Sequence, residues 1–272
     1  FHLGFVFADN PKNVLFIGGG GFTGPKDFLK SYPNVKIDVV EIDKDVIQVG
    51  KDYFLVPEDE RLQIINQDGR RYLSSTINNY DIIILDAYDK SYVPFHLMTK
   101  EFHEIVNEHL SDNGVFIANI ITSLDGESSD LFRAEYKTLD SVFPNVYIYP
   151  LSLNQEQMVQ NVIIVAHKQD IRLQNKTIKQ DYNLSFNILD FADDNYKKSI
   201  KIDDVPMLTD DFAPVENFMN PLTGKIYFKK IILQNDSSII IPEERNYSID
   251  QNRFGMIIWS FIFIFVFNFK LK

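Results

Sequence analysis

The stretch that decides the fold is Val14–Phe28, VLFIGGGGFTGPKDF. An apolar run enters four consecutive glycines, and Thr23-Gly24-Pro25 then looks like the start of a helix, because proline is tolerated in a first helical turn. A strand, a bare turn and a helix in that order predict a ligand that approaches the backbone of Gly18, Gly19 and Gly20. A dinucleotide fingerprint fits poorly, since a glycine run satisfies many patterns at once. By themselves the glycines predict a nucleotide-like ligand beside the first strand, with a purely structural turn as the alternative.

Outward from this point, apolar strand-like runs alternate with helical ones. NVLFIG, KIDVVEID, LQIINQD, YDIIILDA and GVFIANI are short, rich in Val and Ile, and show little polar alternation. Such runs indicate strands buried on both faces, as in a parallel sheet. PKDFLKSY, KDVIQVGKDYF and TKEFHEIVNEHL carry apolar residues at helical spacing. In the last, Thr99 is an expected N-cap, with Phe102, Ile105, Val106 and Leu110 on one face. NVYIYPL and QNVIIVAHK follow with only a short loop between them, too short for a helical crossover, so they predict an antiparallel hairpin. The fold class expected is α/β: a doubly wound, Rossmann-like sheet of the S-adenosylmethionine methyltransferase type ending in that hairpin.

The later strand ends carry acids. Glu41 closes the second strand about twenty residues beyond the glycines, where a carboxylate can accept from both ribose hydroxyls. Asp43 is expected to cap the next helix. Asp68 closes the third strand, followed by Gly69, and can accept from an adenine amino group. At the fourth, LDAYDK places Asp86 at the strand tip and Asp89 three residues on, with Tyr88 between. Two carboxylates there can hold a cationic amine and take a proton from it as it attacks. Their mutual repulsion favours a positively charged substrate. For each acid the plain alternative is a cap or a solvated loop residue.

VLFIGGGGFTG, VVEIDKDVI, NQDGRRYL, YDIIILDAYD, PFHLMTKEFHEIVNEHLSDNGVFIANI and LTDDFAPVENF together resemble the spermidine synthase (polyamine aminopropyltransferase) family, most of all its membrane-associated, fused branch. The resemblance implies aminopropyl transfer from decarboxylated S-adenosylmethionine, a co-substrate and not a prosthetic group, to an amine such as putrescine. It implies that Gly18, Gly19, Gly20, Glu41, Asp68 and Gly69 bind the donor, with Glu41 on the ribose and Asp68 on the adenine. Asp86 would be the base, and Asp89 with Tyr88 would bind the amine. His96 is read as a loop or packing residue. The sequence departs from the soluble members at Gly21, where they place an Asp that helps anchor the donor's amino end. Their N-terminal β-domain is also missing before Phe1, so the chain is read as a fragment. A methyltransferase on the same fold and a catalytically silent, membrane-tethered binding module are the two other readings.

Composition narrows the rest. The 272 residues are 45% hydrophobic, contain no cysteine and carry a formal charge of −11. The acidity argues against nucleic acid as a partner. The lack of cysteine excludes disulfides, thiolate metal sites and a cysteine nucleophile. The histidines His2, His96, His103, His109 and His167 form no ligand motif, so no metal is expected. Residues 1–12 are read as the end of an upstream helix, 13–168 as the Rossmann-like domain, 169–253 as a polar extension and linker, and 254–272 as a membrane anchor. The uncharged run before Lys270, about sixteen residues, spans roughly 24 Å as a helix, a little short of a hydrocarbon core of ~30 Å. Membrane association through 254–269, a cytoplasmic catalytic domain and a homodimer complete the expectations.

Overall fold

The computed structural model describes residues 1–8, 10–87, 94–169 and 182–219. Tyr88, Asp89 and the apolar run 254–269 lie outside the described residues. The chain divides into two units, and every described residue belongs to the first, Phe1–Lys229.

Strands β1 (Asn13–Ile17), β2 (Lys36–Glu41), β3 (Leu62–Asn66), β4 (Tyr80–Leu85), β5 (Leu110–Thr122), β6 (Asn145–Pro150) and β7 (Gln160–His167) form one sheet in the order β3-β2-β1-β4-β5-β7-β6. The first five pair in parallel, and β7 runs antiparallel between β5 and β6. This is the methyltransferase-type sheet with its terminal hairpin that the run lengths predict. The β-branched content of β1, β2 and β4 suits strands covered on both faces. Strand β3 departs from that expectation: as an edge strand it is covered incompletely, and no residue of Leu62–Asn66 is fully buried.

Alternate residues of each strand feed two apolar layers. Leu15, Ile83, Leu85 and Phe116 face α4 (Gly69–Leu73), α5 (Lys100–His109) and α6 (Asp130–Asp140) through Leu73, Phe102, Val106, Phe132 and Leu139. Val14, Phe16, Ile82, Ile84 and Ile117 face α1 (Gly4–Phe7), α2 (Thr23–Ser31) and α3 (Lys44–Tyr53) through Phe5, Phe7, Phe28, Leu29 and Ile47. Helix α3 is capped by Asp43, whose carboxylate accepts from the Asp45 N–H at 2.8 Å, and α5 by Thr99, which accepts from the Phe102 N–H at 3.3 Å. Leu110, read as the last apolar residue of that helix, instead begins β5 opposite Tyr80 and remains buried.

Residues 182–219 fold back over both sides of the domain. Ile188 and Ala192, the latter ending α7 (Leu189–Ala192), join the second layer. Val205, Leu208, Val215 and Met219 form a third cluster with Met98, Leu131 and Ala134. Main-chain bonds hold it in place: the Lys100 N–H donates to the Leu208 carbonyl at 2.8 Å, and the Leu208 N–H to Thr138 Oγ1 at 2.9 Å.

Candidate functional site

In an open α/β sheet the crevice forms where the chain reverses its direction of strand addition, here between β1 and β4. Three strand ends are drawn together at that point. The Gly18 N–H donates to the Val40 carbonyl at 2.8 Å, and the Asp86 N–H to the Ile17 carbonyl at 2.9 Å. Gly18 has φ +100°, and a Cβ there would stand 2.4 Å from the Asp86 carbonyl oxygen. Only glycine fits, so the first glycine of the run is what lets β1 and β4 end side by side.

Glu41, nearly buried at the end of β2, reaches back to the glycine turn. Its Oε2 accepts from the Gly19 N–H at 2.7 Å and the Gly20 N–H at 3.4 Å, and its Oε1 accepts from the Asp43 N–H at 2.9 Å. The carboxylate is thus fixed by backbone donors while Oε1 keeps acceptor capacity. Ile42, next in sequence, is 68% exposed and presents an apolar surface beside that carboxylate. Gly21 is different from Gly18: its φ is unremarkable, and a Cβ would meet nothing closer than Phe54 Cδ1 at 3.6 Å. Neither conformation nor space demands glycine where the soluble relatives were expected to carry an Asp.

Asp68 takes the capping role that was the plain alternative for it, and its second oxygen meets a histidine. As N-cap of α4 its Oδ1 accepts from the Arg71 N–H at 2.9 Å, and its Oδ2 lies 2.9 Å from Nε2 of His96. Burial raises its pKa, but the Arg71 N–H and the His96 ring outweigh that effect and hold the carboxyl below the usual range. It is therefore an ionised acceptor at neutral pH. Gly69, expected against the donor, starts α4, where a Cβ would stand 2.3 Å from Ile17 Cγ2; packing alone accounts for it.

Asp86 stands at the tip of β4. It is open to solvent on one face and surrounded by protein on the others, a carboxylate on the floor of a recess. That surrounding mass pushes its pKa up, and the hydrogen bond from Asn119 Nδ2 to Oδ1, at 3.0 Å, pulls the other way. The open face tempers the shift, but the direction is that of a carboxyl readier than usual to take a proton. Asn119 sits on β5 beside Ala118, which pairs with Leu85, so both side chains leave the same sheet edge. Its own Oδ1 is buried without a hydrogen-bond partner among the described residues. Asn119 went unnoticed in GVFIANI, although a single amide ending an apolar strand was the available signal.

A second group missed from sequence lies beside Asp68. The guanidinium of Arg70 forms a two-pronged pair with Asp210, both contacts 2.6 Å. Asp210 also accepts from Thr99 Oγ1 at 2.7 Å, and its N–H donates to Glu101 at 2.9 Å. This anchors the LTDDFAPVENF stretch to the start of α5. No group of three or more candidate metal ligands occurs among the described residues.

Comparison with known proteins adds to this geometry. The spermine/spermidine synthase domain family matches residues 1–178. The polyamine aminopropyltransferase of Vibrio vulnificus is 30% identical over 221 residues, covering 78% of this chain and 71% of that protein. A probable polyamine aminopropyl transferase of Bifidobacterium longum is 35% identical over 140 residues, 52% of this chain. The chain spans only 31% of that relative and 51–54% of several others. Among solved structures, a spermidine synthase in complex with the transition-state analogue AdoDATO superposes with a TM-score of 0.53 at 25% identity, over 74% of this chain and 64% of that one.

Proposed function

The chain belongs to the spermine/spermidine synthase family, and from that membership and the geometry of its recess we propose that it transfers an aminopropyl group from decarboxylated S-adenosylmethionine to a polyamine such as putrescine. The observation that carries the reading is the placement of Asp86: a carboxylate hydrogen-bonded by Asn119 at the end of β4, beside the Glu41-clasped glycine turn.

The ribose hydroxyls donate to Glu41, the adenine lies against Ile42, and its amino group donates to Asp68. The sulfonium end of the donor then extends along Gly18 and Gly19 toward Asp86. A neutral amine attacks the aminopropyl carbon next to sulfur. A C–N bond forms, the C–S bond breaks with its electron pair going to sulfur, and 5′-methylthioadenosine leaves. The nitrogen becomes cationic during attack and loses its proton to Asp86, whose Oδ1 is occupied by Asn119 so that Oδ2 faces the amine. Holding the two reactants in line supplies most of the acceleration, and the carboxylate adds general-base assistance. Asp89 and Tyr88 bind the distal ammonium in this proposal. Residues 254–269 are assigned to membrane association, with the catalytic domain on the cytoplasmic side and two chains per assembly; flotation with liposomes before and after removal of 254–272 tests the first of these.

Calorimetry with decarboxylated and ordinary S-adenosylmethionine, followed by an aminopropyl-transfer assay with putrescine, tests the reaction. Tighter binding of the decarboxylated donor with formation of 5′-methylthioadenosine is expected. Preference for the carboxylated donor without transfer would overturn the proposal in favour of a methyltransferase.

A further inference from the structure

Resting on the donor site just proposed, the geometry points to a relay of positioning residues, Asp210–Arg70–His96, that orients the Asp68 carboxylate for the nucleoside base. Asp68 needs no distant help to cap its helix, since the Arg71 N–H satisfies Oδ1 locally at 2.9 Å. The second oxygen has a further partner from outside the helix. His96 fixes it, with Nε2 2.9 Å from Oδ2. The aim of the remaining lone pairs of Asp68 is thus set jointly by the first turn of α4 and by a residue that follows β4.

His96 is itself held from outside. It lies in a short 3-10 turn, Phe95–Leu97, and its main-chain carbonyl accepts from Arg70 Nη1 at 3.1 Å. The same guanidinium nitrogen lies 3.3 Å from Thr99 Oγ1. The guanidinium would be free to turn were it not gripped at both nitrogens by Asp210, 140 positions away in the chain. Asp210 is in turn steadied by the Thr99 hydroxyl and by its own N–H on Glu101. A planar fork on a carboxylate fixes direction as well as distance. The chain of contacts therefore runs unbroken from the LTDDFAPVENF segment to the carboxylate placed at the adenine. In the proposed pose none of its three members is placed against the nucleoside; each acts through Asp68.

Orientation of one acceptor affects how tightly the nucleoside is held more than how fast the bound donor reacts. The test uses the full chain and 5′-methylthioadenosine as probe. His96→Ala is expected to weaken binding about tenfold, equivalent to about 1.4 kcal/mol. His96→Gln keeps a donor for Oδ2 and should recover to within about threefold of the parent, and Asp210→Asn should give an intermediate loss. In turnover the donor KM rises by the same factor as Kd, and kcat at saturating donor falls less than twofold. In an Asp68→Asn background His96→Ala should cost nothing further, as a double-mutant cycle requires of coupled residues. If His96→Ala does not fold, His96→Leu against His96→Gln makes the same comparison. Binding by the His96 variant within twofold of the parent, or an equal loss in the Asp68→Asn background, overturns the relay while leaving the donor site standing. Failure of the parent protein to bind 5′-methylthioadenosine overturns the donor site and the relay with it.

Discussion

Replacing Asp86 by Asn removes the proposed base while preserving its shape. Among the described residues the parent carboxylate accepts one bond, from Asn119 Nδ2 to Oδ1 at 3.0 Å. An asparagine can turn its carbonyl oxygen to that donor and keep the bond, so the recess and the strand ends around it should stay as they are. The proposed donor contacts lie elsewhere, at Glu41 and Asp68, and the affinity for 5′-methylthioadenosine should stay within about twofold. What is lost is the proton acceptor, and positioned general bases contribute roughly 10²–10⁴-fold. Single-turnover transfer to putrescine, with donor saturating, should therefore slow by at least about a hundredfold. The same variant has a signature in stability. Because the pKa of Asp86 is raised in the folded protein, the unfolded chain binds fewer protons in the window just above the ordinary carboxylate range. The parent loses stability as pH rises through that window, and the loss persists above it. Asp86→Asn should then raise Tm at pH 7 and do so less at pH 4. A nucleoside affinity that collapses with turnover, or a rate loss under tenfold, would refute the assignment of Asp86 as the base.

Gly18→Ala places a Cβ 2.4 Å from the Asp86 carbonyl at φ +100°, and chemical denaturation should show a loss of roughly 3 kcal/mol; a loss below about 1 kcal/mol would mean the strand ends are not locked as described. Gly21→Asp meets only ordinary contacts, the nearest at 3.6 Å, so the fold should be kept or strengthened by about 0.4–1 kcal/mol. Affinity should shift toward the decarboxylated donor, measured by calorimetry, and a shift toward the carboxylated one would contradict it. His103 and Glu135 face each other at 3.1 Å between α5 and α6, both fully buried. His103→Leu should destabilise by about 1–3 kcal/mol by taking a close polar neighbour from the buried Glu135, and the double change to Leu should recover most of it; urea midpoints that simply add would argue that the two are not coupled.

The fold was legible because run length and connection length constrain a parallel sheet strongly. Strand runs such as YDIIILDA cannot be half-exposed, and a loop as short as the one between NVYIYPL and QNVIIVAHK cannot carry a crossover helix. Edge position was not legible in the same way. LQIINQD reads like its neighbours, yet β3 has no strand beyond it and stays partly open. Leu110 failed for a related reason, since an apolar residue at a helix end satisfies the periodicity of the helix and the burial of the next strand equally.

The site divides along the same physical line. Positions that follow from a single element could be read: Glu41 ends β2, Asp86 follows β4, and Asp43 and Thr99 cap helices. Residues whose role depends on a partner remote in sequence could not. Nothing in NQDGRRYL says that Arg70 will meet Asp210, and nothing in PFHLMTK says that His96 will face Asp68. The LTDDFAPVENF stretch, a landmark without a function in sequence, takes its meaning from this. Once folded back, its acid clamps Arg70, two residues after Asp68. The opening glycine run is resolved by the same contrast. Gly18 is dictated by β1 and β4 meeting at Asp86, whereas Gly21 is dictated by nothing in its surroundings. Under the proposed function the residue at position 21 is therefore free to be set by the donor's amino end, and the Gly21→Asp comparison of the two donors is the measurement that separates that selection from folding.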